Sequence, residues 1–240
     1  QSCGTPFYQA AFETLASRGL VYPCYCSRKE RLAASAPHAA DGARIYSGRC
    51  RRLSAQEKTA LQESGRSPAW RVQVPGEIIS FVDEVFGPQQ ERLDRDCGDF
   101  ILRRSDGIYA YQLAVAEDDG RMGVTRVVRG WDLLSSTPRQ IWLYRCLKKD
   151  IPAYAHLPLA VNEAGEKLSK QTRARPVGTH DPVARLVEAM RFLNLYPEKT
   201  WHSLQDLWNW AIMNWSIGNV PKRQTTRSPD STYQEKKHDR

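Results

Sequence analysis

The segment from Gly123 to Val161 limits the fold more than any other part of the chain. It contains a short apolar run, then Ser135-Ser136-Thr137-Pro138, an amphipathic stretch to about Leu147, and a second apolar run over 154–161. Ser and Thr cap helices and Pro is favoured in the first turn, so the pattern predicts a buried strand, a capped helix and another strand. Strands joined in this way are parallel, and the sequence therefore predicts an α/β sheet with ligand groups at the strand ends.

Further helices are predicted on both sides of this unit. Phe7, Ala11 and Leu15 have helical spacing, and the pattern stops at Gly19, which is typical of a helix that ends at a glycine. Similar reasoning predicts an exposed helix at 54–64 and helices at 182–195 and about 203–215.

Two hairpins are predicted from alternating apolar residues. The stretches 69–74 and 78–86 are separated by Pro75-Gly76 and are expected to pair with each other. The stretches 99–104 and 108–115 flank a Ser-Asp-Gly turn, although 112–117 also suits the start of a helix.

Basic residues are concentrated in two regions. The 240-residue chain has 35 Lys and Arg against 27 Asp and Glu, a net charge of +8. Residues 18–58 contain nine of these bases and three acids, which is typical of a surface that contacts RNA but also of a solvated loop. Residues 222–240 have six bases, three acids and no apolar periodicity, so a disordered tail is predicted there.

The sequence favours neither a membrane protein nor a secreted one. A membrane helix needs about 18 uninterrupted apolar residues, which the chain does not contain, and no leader-like segment opens it. We therefore expect a cytoplasmic protein. The first residue is Gln1 rather than Met, so the start is read as a processing site, a boundary of the expressed segment or a truncation.

Three of the six cysteines are grouped. Cys24 and Cys26 are separated by one residue, and Cys50 follows after a loop. A structural zinc site takes four ligands, so three thiols need a partner, and spacing alone offers His38 or Tyr46. Buried, inert thiols are the alternative interpretation.

A lysine-rich loop follows the second apolar run. Lys167-Leu168-Ser169-Lys170 has two cations and a hydroxyl that suit a polyphosphate, although lysine-rich surface turns are common. This sequence resembles the KMSKS signature of the class I aminoacyl-tRNA synthetases. The run from Gly98 to Lys170 is similar to the second half of a glutamyl-tRNA synthetase catalytic core.

Within that family the chain is most similar to a short paralogue that lacks an anticodon-binding domain. KLSKQ at the signature and the CxC and YxxxC pattern carry this likeness, which covers roughly residues 1–220. It implies an α/β fold: a Rossmann-type class I core, truncated at its N-terminus, with a zinc-binding insertion and a helical C-terminal part. The implied boundaries are 1–22 for the end of the first half of the core, 23–97 for the insertion, 98–178 for the second half, 179–221 for the helical part and 222–240 for the tail.

The resemblance also implies the site residues. Zinc would be bound by Cys24, Cys26, Tyr46 and Cys50, which favours Tyr46 over His38. Glutamate would be bound by Tyr111 and Arg129. ATP would be bound by Lys167, Ser169 and Lys170, with Lys170 as the catalytic lysine.

The implied activity is ATP-dependent, with Mg²⁺ on the phosphates. L-glutamate would be activated to glutamyl-adenylate without tRNA and passed by a monomeric enzyme to queuosine in tRNA(Asp). The family's first ATP-binding signature should precede residue 1, so this chain alone is expected to be inactive. A shortened glutamyl-tRNA synthetase and a non-enzymatic, zinc-dependent RNA-binding module are the alternatives.

Overall fold

The computed structural model describes residues 4–27, 45–169, 174 and 180–227. Its α-helices are α1 (Thr5–Ser17), α2 (Ala55–Glu63), α3 (Leu93–Asp96), α4 (Tyr111–Met122), α5 (Thr137–Leu147), α6 (Pro182–Phe192) and α7 (Leu204–Asn214). Its strands are β1 (Val21–Cys24), β2 (Ala69–Val72), β3 (Ile78–Asp83), β4 (Gly87–Arg92), β5 (Phe100–Arg103), β6 (Arg126–Gly130), β7 (Ala153–Leu157), β8 (Leu159–Val161) and β9 (Thr225–Arg227).

The described residues divide into two compact units. Unit 1 takes its residues from 1–82, 88–127 and 134–153, and unit 2 takes its residues from 83–87, 128–133 and 154–240. Each unit has an apolar core, and the chain passes from one to the other more than once. None of the described helices combines the length and apolar character needed to cross a membrane.

Unit 1 is built on an antiparallel sheet with the strand order β1-β2-β5. Helices α1, α4 and α5 contribute to the core, in which the side chains of Leu15, Val72, Leu102, Leu113 and Leu143 are fully buried. Burying each such side chain contributes about 1.5–3 kcal/mol. This cluster holds the sheet against the helices.

The helix ends in unit 1 follow from local sequence. Gly19 has φ +68° after α1, and its N–H donates to the carbonyl of Ala16 at 2.9 Å, which closes the helix as predicted. Ser54 and Glu57 form a reciprocal capping box at the start of α2, which confirms the predicted exposed helix.

The predicted hairpin between 69–74 and 78–86 is wrong. β2 pairs with β1 and β5, whereas β3 lies between β4 and β7. Val72 is paired with Val21 of β1 and with Phe100 of β5, and the prediction failed because an apolar alternation identifies a strand but not its partner. β4 was not predicted, since its sequence is polar.

Unit 2 contains the adjoining ends of four strands in the order β4-β3-β7-β6. Asp83 at the end of β3 is paired in parallel with Tyr154 of β7, and Glu84 N–H donates to Tyr154 O at 2.8 Å. β6 and β7 are neighbours, as predicted from the strand, helix, strand pattern. β6 itself is less buried than predicted, and Val128 is exposed.

Several further boundaries differ from the sequence-based expectation. The stretch 154–161 forms two strands, because Pro158 between them has no N–H to donate. Residues from Tyr111 onward form α4 rather than a strand, which agrees with the alternative considered for 112–117. The predicted helices near 182–195 and 203–215 are present as α6 and α7, which share a core of Met190, Leu207 and Ala211.

The predicted disorder from Lys222 is wrong for its first residues. β9 pairs in parallel with β8 from Thr225 to Arg227, and Leu159 N–H donates to Gln224 O at 3.0 Å. Backbone pairing at a sheet edge needs no apolar periodicity, and for this reason composition did not reveal it. Residues 228–240 lie outside the described part of the chain.

Candidate metal centre and substrate-binding residues

Three thiols converge in unit 1. The Sγ atoms of Cys24, Cys26 and Cys50 all lie within 4.8 Å of one another, with 3.4 Å between those of Cys26 and Cys50. Cys24 is the last residue of β1, and Cys50 lies in a 3₁₀ turn over Arg49–Arg52. Gly48, which precedes this turn, has a left-handed backbone conformation. Cys24 and Cys50 are buried.

Tyr46 brings an oxygen to the same cluster. Its hydroxyl lies 3.5 Å from the Cys24 Sγ and 3.7 Å from the Cys26 Sγ, and it accepts the N–H of Cys50 at 2.9 Å. The hydroxyl of Tyr46 therefore reaches the backbone of Cys50, four residues further along the chain. His38, the other candidate for a fourth ligand, lies outside the described residues.

The donor set fits a tetrahedral zinc ion. Zinc bonds of about 2.3 Å to sulfur and about 2.0 Å to oxygen give tetrahedron edges of about 3.8 Å between sulfurs and about 3.5 Å between sulfur and oxygen. The distances of 3.4, 3.5 and 3.7 Å among these atoms are close to those edges. Soft thiolates with one harder oxygen also suit zinc better than magnesium or calcium.

The acidity of these groups depends on their surroundings. Burial opposes ionisation of Cys24, but the Tyr46 hydroxyl and the Arg71 charge together hold the pKa of this thiol below its usual range. Burial and the neighbouring Cys50 raise the pKa of Cys26 to about 12, and burial and the thiols raise the pKa of Tyr46. A bound cation would oppose the raised pKa values of Cys26 and Tyr46, because it stabilises the anionic forms.

Asp99 joins the cluster to the sheet. Its carboxylate accepts the Tyr22 hydroxyl at 2.6 Å, the Val74 N–H at 3.0 Å and the Arg51 guanidinium at 3.3 Å, and it is buried. The guanidinium of Arg71 donates to the Asp99 carbonyl and stacks on the Tyr46 ring. Sequence analysis missed Arg71 and Asp99, which lie more than 20 residues beyond Cys50 and have no motif.

Gly98 allows a close backbone approach to this cluster. It has φ +67° and is bridged to Tyr46, and a Cβ at Gly98 would lie 2.6 Å from the Tyr46 carbonyl oxygen. A side chain is therefore excluded on two grounds, conformation and space.

A basic cavity opens beside the cysteines. It has a volume of about 850 Å³ and is lined by Cys24, Cys26, Arg66, Arg71 and Arg104, among other residues. The Arg104 guanidinium is paired with Asp106 at 2.6 Å. The remaining positive charge makes the cavity suitable for an anionic group.

In unit 2, Arg129 is held by hydrogen bonds at the end of β6. Its Nε donates to His156 Nε2 at 3.0 Å and its Nη2 donates to Leu133 O at 3.1 Å. The guanidinium also lies 5.4 Å from the centre of the Tyr154 ring. A guanidinium fixed in this way suits bidentate pairing with a carboxylate.

Tyr111 is the first residue of α4 in unit 1. It is 46% exposed, which leaves its ring available to a ligand. The next residue, Gln112, donates to Ser136 Oγ at 3.0 Å and accepts from Gln140 at 3.1 Å, so the start of the helix is anchored.

The lysine-rich loop follows β8 in unit 2. Leu168 N–H donates to Ala160 O at 2.9 Å, and Lys167 forms an isolated bridge with Val161. The Lys167 ammonium is paired with Asp132, and Ser169 is half-buried. Lys170, predicted to be the catalytic lysine, lies outside the described residues.

Comparison with known proteins decides the family. Residues 1–186 match the family model described as tRNA synthetases class I (E and Q), catalytic domain. The chain belongs to this family. The expected class I synthetase fold is thereby confirmed.

This chain is similar to several curated proteins named glutamyl-Q tRNA(Asp) synthetase. It is 46% identical to one from Neisseria meningitidis serogroup C (strain FAM18) over 226 residues, which covers 94% of this chain and 75% of the relative. It is 45% identical to one from Aromatoleum aromaticum over 231 residues, with 95% and 70% covered. The predicted resemblance to this paralogue is confirmed.

Solved structures agree on the fold. The glutamate-tRNA synthetase from Elizabethkingia anophelis superposes with a TM-score of 0.72 at 23% identity, over 95% of this chain and 51% of that one. The chain thus spans about half the length of this solved relative. At this identity the likeness concerns the fold alone.

Proposed function

We propose that the protein activates L-glutamate with ATP in the absence of tRNA and transfers it to queuosine in tRNA(Asp). The observation that carries this proposal is the identity of 46% over 94% of the chain with a protein named glutamyl-Q tRNA(Asp) synthetase. The protein is then a class I ligase that works as a monomer in the cytoplasm.

Two displacements make up the proposed reaction. An oxygen of the glutamate α-carboxylate attacks the α-phosphorus of ATP, and the bond to the pyrophosphate oxygen breaks. A hydroxyl of the queuosine ring then attacks the carbonyl carbon of glutamyl-adenylate, AMP leaves with the electron pair, and the hydroxyl proton passes to solvent. Mg²⁺ offsets the charge on the ATP phosphates when it is bound.

The substrate residues act by charge and position. Arg129 pairs with a carboxylate of glutamate, since its guanidinium is fixed by His156 and Leu133. Tyr111 adds a hydroxyl to the same substrate. Lys167, Ser169 and Lys170 bind the phosphates of ATP, and Lys170 stabilises the charge that develops during transfer.

Asp132 is the counter-ion that Lys167 must leave in order to reach ATP. The ion pair is half-exposed, so water screens it and the exchange of one anion for another costs little.

The metal centre has a structural role in this proposal. Cys24, Cys26, Tyr46 and Cys50 hold zinc, which ties β1 to the turn at Cys50 and stabilises the predicted insertion over 23–97. The adjoining cavity with Arg66 and Arg71 faces the phosphates of the tRNA.

The test is glutamate-dependent exchange between ATP and pyrophosphate, measured without tRNA on the product of the complete gene. We expect exchange, followed by glutamate transfer to tRNA(Asp) that contains queuosine. Deletion of the 3′-terminal adenosine from the tRNA should leave transfer intact. Loss of transfer after that deletion selects a glutamyl-tRNA synthetase instead, and absence of exchange without tRNA overturns the proposed tRNA-independent activation.

A further inference from the structure

Asp83 is a buried carboxylate at the end of β3 that the proposed reaction does not use. Its Oδ1 accepts the N–H groups of Val85 at 3.0 Å and Phe86 at 2.9 Å, and its Oδ2 accepts the N–H of His156 at 3.1 Å. The side chain is 1% exposed. Such a set of donors fixes the position of the carboxylate and favours its charged form.

His156 lies in β7 and faces this carboxylate. Its Nδ1 is 2.7 Å from Asp83 Oδ2, and the side chain is fully buried. An ionised carboxylate can only accept hydrogen bonds. Nδ1 of His156 therefore carries the proton and donates a hydrogen bond to Asp83 Oδ2. The second ring nitrogen, Nε2, is then left as an acceptor.

Arg129 uses that acceptor. The Nε–H of Arg129 donates to His156 Nε2 at 3.0 Å. Nε2 must accept this hydrogen bond, so it carries no proton. Together with the bond from Nη2 to Leu133 O, this hydrogen bond restrains the guanidinium at Nε and at Nη2. The direction of the guanidinium is therefore determined by a chain of contacts that begins at Asp83.

We propose that Asp83 and His156 are positioning residues for the substrate carboxylate, acting through Arg129. Asp83 fixes the tautomer and the ring plane of His156, and His156 directs the guanidinium of Arg129 at the ligand. This inference rests on the proposed binding of glutamate by Arg129. It differs from a purely structural role, in which the pair only joins β3 to β7.

Two amide substitutions separate these roles. The amide of Asn reaches about as far as Nδ1, and the amide of Gln about as far as Nε2. His156→Asn therefore keeps a donor for Asp83 and loses the acceptor for Arg129, whereas His156→Gln keeps the acceptor and loses the donor. If His156 positions Arg129, His156→Gln should bind glutamate better than His156→Asn. If His156 has only a structural role, the order should be reversed.

The measurement is the KM for L-glutamate and the KM for ATP in exchange of ATP with pyrophosphate, on the product of the complete gene. We expect His156→Asn to raise the glutamate KM about ten-fold to a hundred-fold, with His156→Gln within about three-fold of the wild type. The ATP KM should stay unchanged in both. The inference is overturned if the two variants have equal KM values for glutamate, or if His156→Gln raises this KM more than His156→Asn does. This conclusion applies when the wild type catalyses the exchange.

Wild-type protein without glutamate-dependent exchange would instead overturn the proposed function, and the inference with it. If both variants fail to fold, the ¹⁵N spectrum of the wild-type histidines decides the matter. An Nδ1–H tautomer for His156 with unprotonated Nε2 is expected, and a ring protonated at Nε2 contradicts the proposal.

Discussion

The guanidinium of Arg71 lies 3.8 Å from the centre of the Tyr46 ring and donates to the carbonyl oxygen of Asp99. One buried cation thus contacts both the oxygen donor of the candidate metal centre and the residue that anchors it. Positive charge at this place favours the ionised form of the Cys24 thiol, and a thiolate is the form that binds zinc.

Arg71→Met should weaken zinc binding. Cys24 loses the buried charge that stabilises its thiolate, and changes beside a metal site typically cost about 10–100-fold in affinity. Competition with a chromophoric chelator measures the zinc dissociation constant. Arg66→Met, at the rim of the same cavity, is the matched control and should leave affinity unchanged.

Tyr46→Phe should also weaken zinc binding, because the hydroxyl that lies 3.5 Å from Cys24 Sγ is removed. We expect one zinc per wild-type chain by atomic emission, a lower Tm after chelation, and weaker zinc retention in the variant. His38→Ala should behave as the wild type. The opposite order of the two variants would identify His38 as the fourth ligand.

Gly98→Ala should be more destabilising than Gly65→Ala. Both glycines have positive φ, +67° and +72°, so each substitution carries a conformational cost of about 1 kcal/mol. Only at Gly98 would the new Cβ meet the Tyr46 backbone, 2.6 Å away, which adds about 1–3 kcal/mol. Urea unfolding compares the two, and equal losses would contradict the close approach.

Tyr8 should contribute to a loss of stability at high pH. Burial and its hydrogen bond to Asp118 raise the pKa of Tyr8 to about 12 from its ordinary 10.0. A raised pKa in the folded state means that the contribution is full below about pH 10 and is lost as pH rises towards 12.

The measurement for Tyr8 is the free energy of unfolding of the wild type and of Tyr8→Phe between pH 8 and 12. The wild type should be more stable by about 1 kcal/mol at pH 8, and the difference should shrink above pH 10. A difference that stays constant across this range would show that the hydroxyl does not titrate as the contacts require.

Lys167→Gln should raise the KM for ATP while the KM for glutamate changes little. The substitution keeps the length of the side chain to within one atom. It removes the ammonium charge, which is paired with Asp132 and is proposed to bind the ATP phosphates. A rise of about ten-fold in exchange assays is expected. Lys58→Gln, on α2, is the control and should leave both constants unchanged.

Local sequence sufficed for elements whose signals lie within a few residues. The capping box of Ser54 and Glu57, the glycine that ends α1 and the spacing of Tyr46 and Cys50 all act over at most four positions. The hairpin prediction for β2 and β3 failed because alternation identifies a strand but not its partner.

By itself the sequence determined the family, through the loop at Lys167 and the cysteine pattern, and also the α/β class of the fold. Tertiary structure alone decided which distant groups complete the sites. Asp83 and His156 are 73 residues apart and meet only because β3 pairs with β7. Asp99 likewise reaches Tyr22 across the sheet. Such contacts depend on strand order and register, which long-range burial sets and local patterns do not encode.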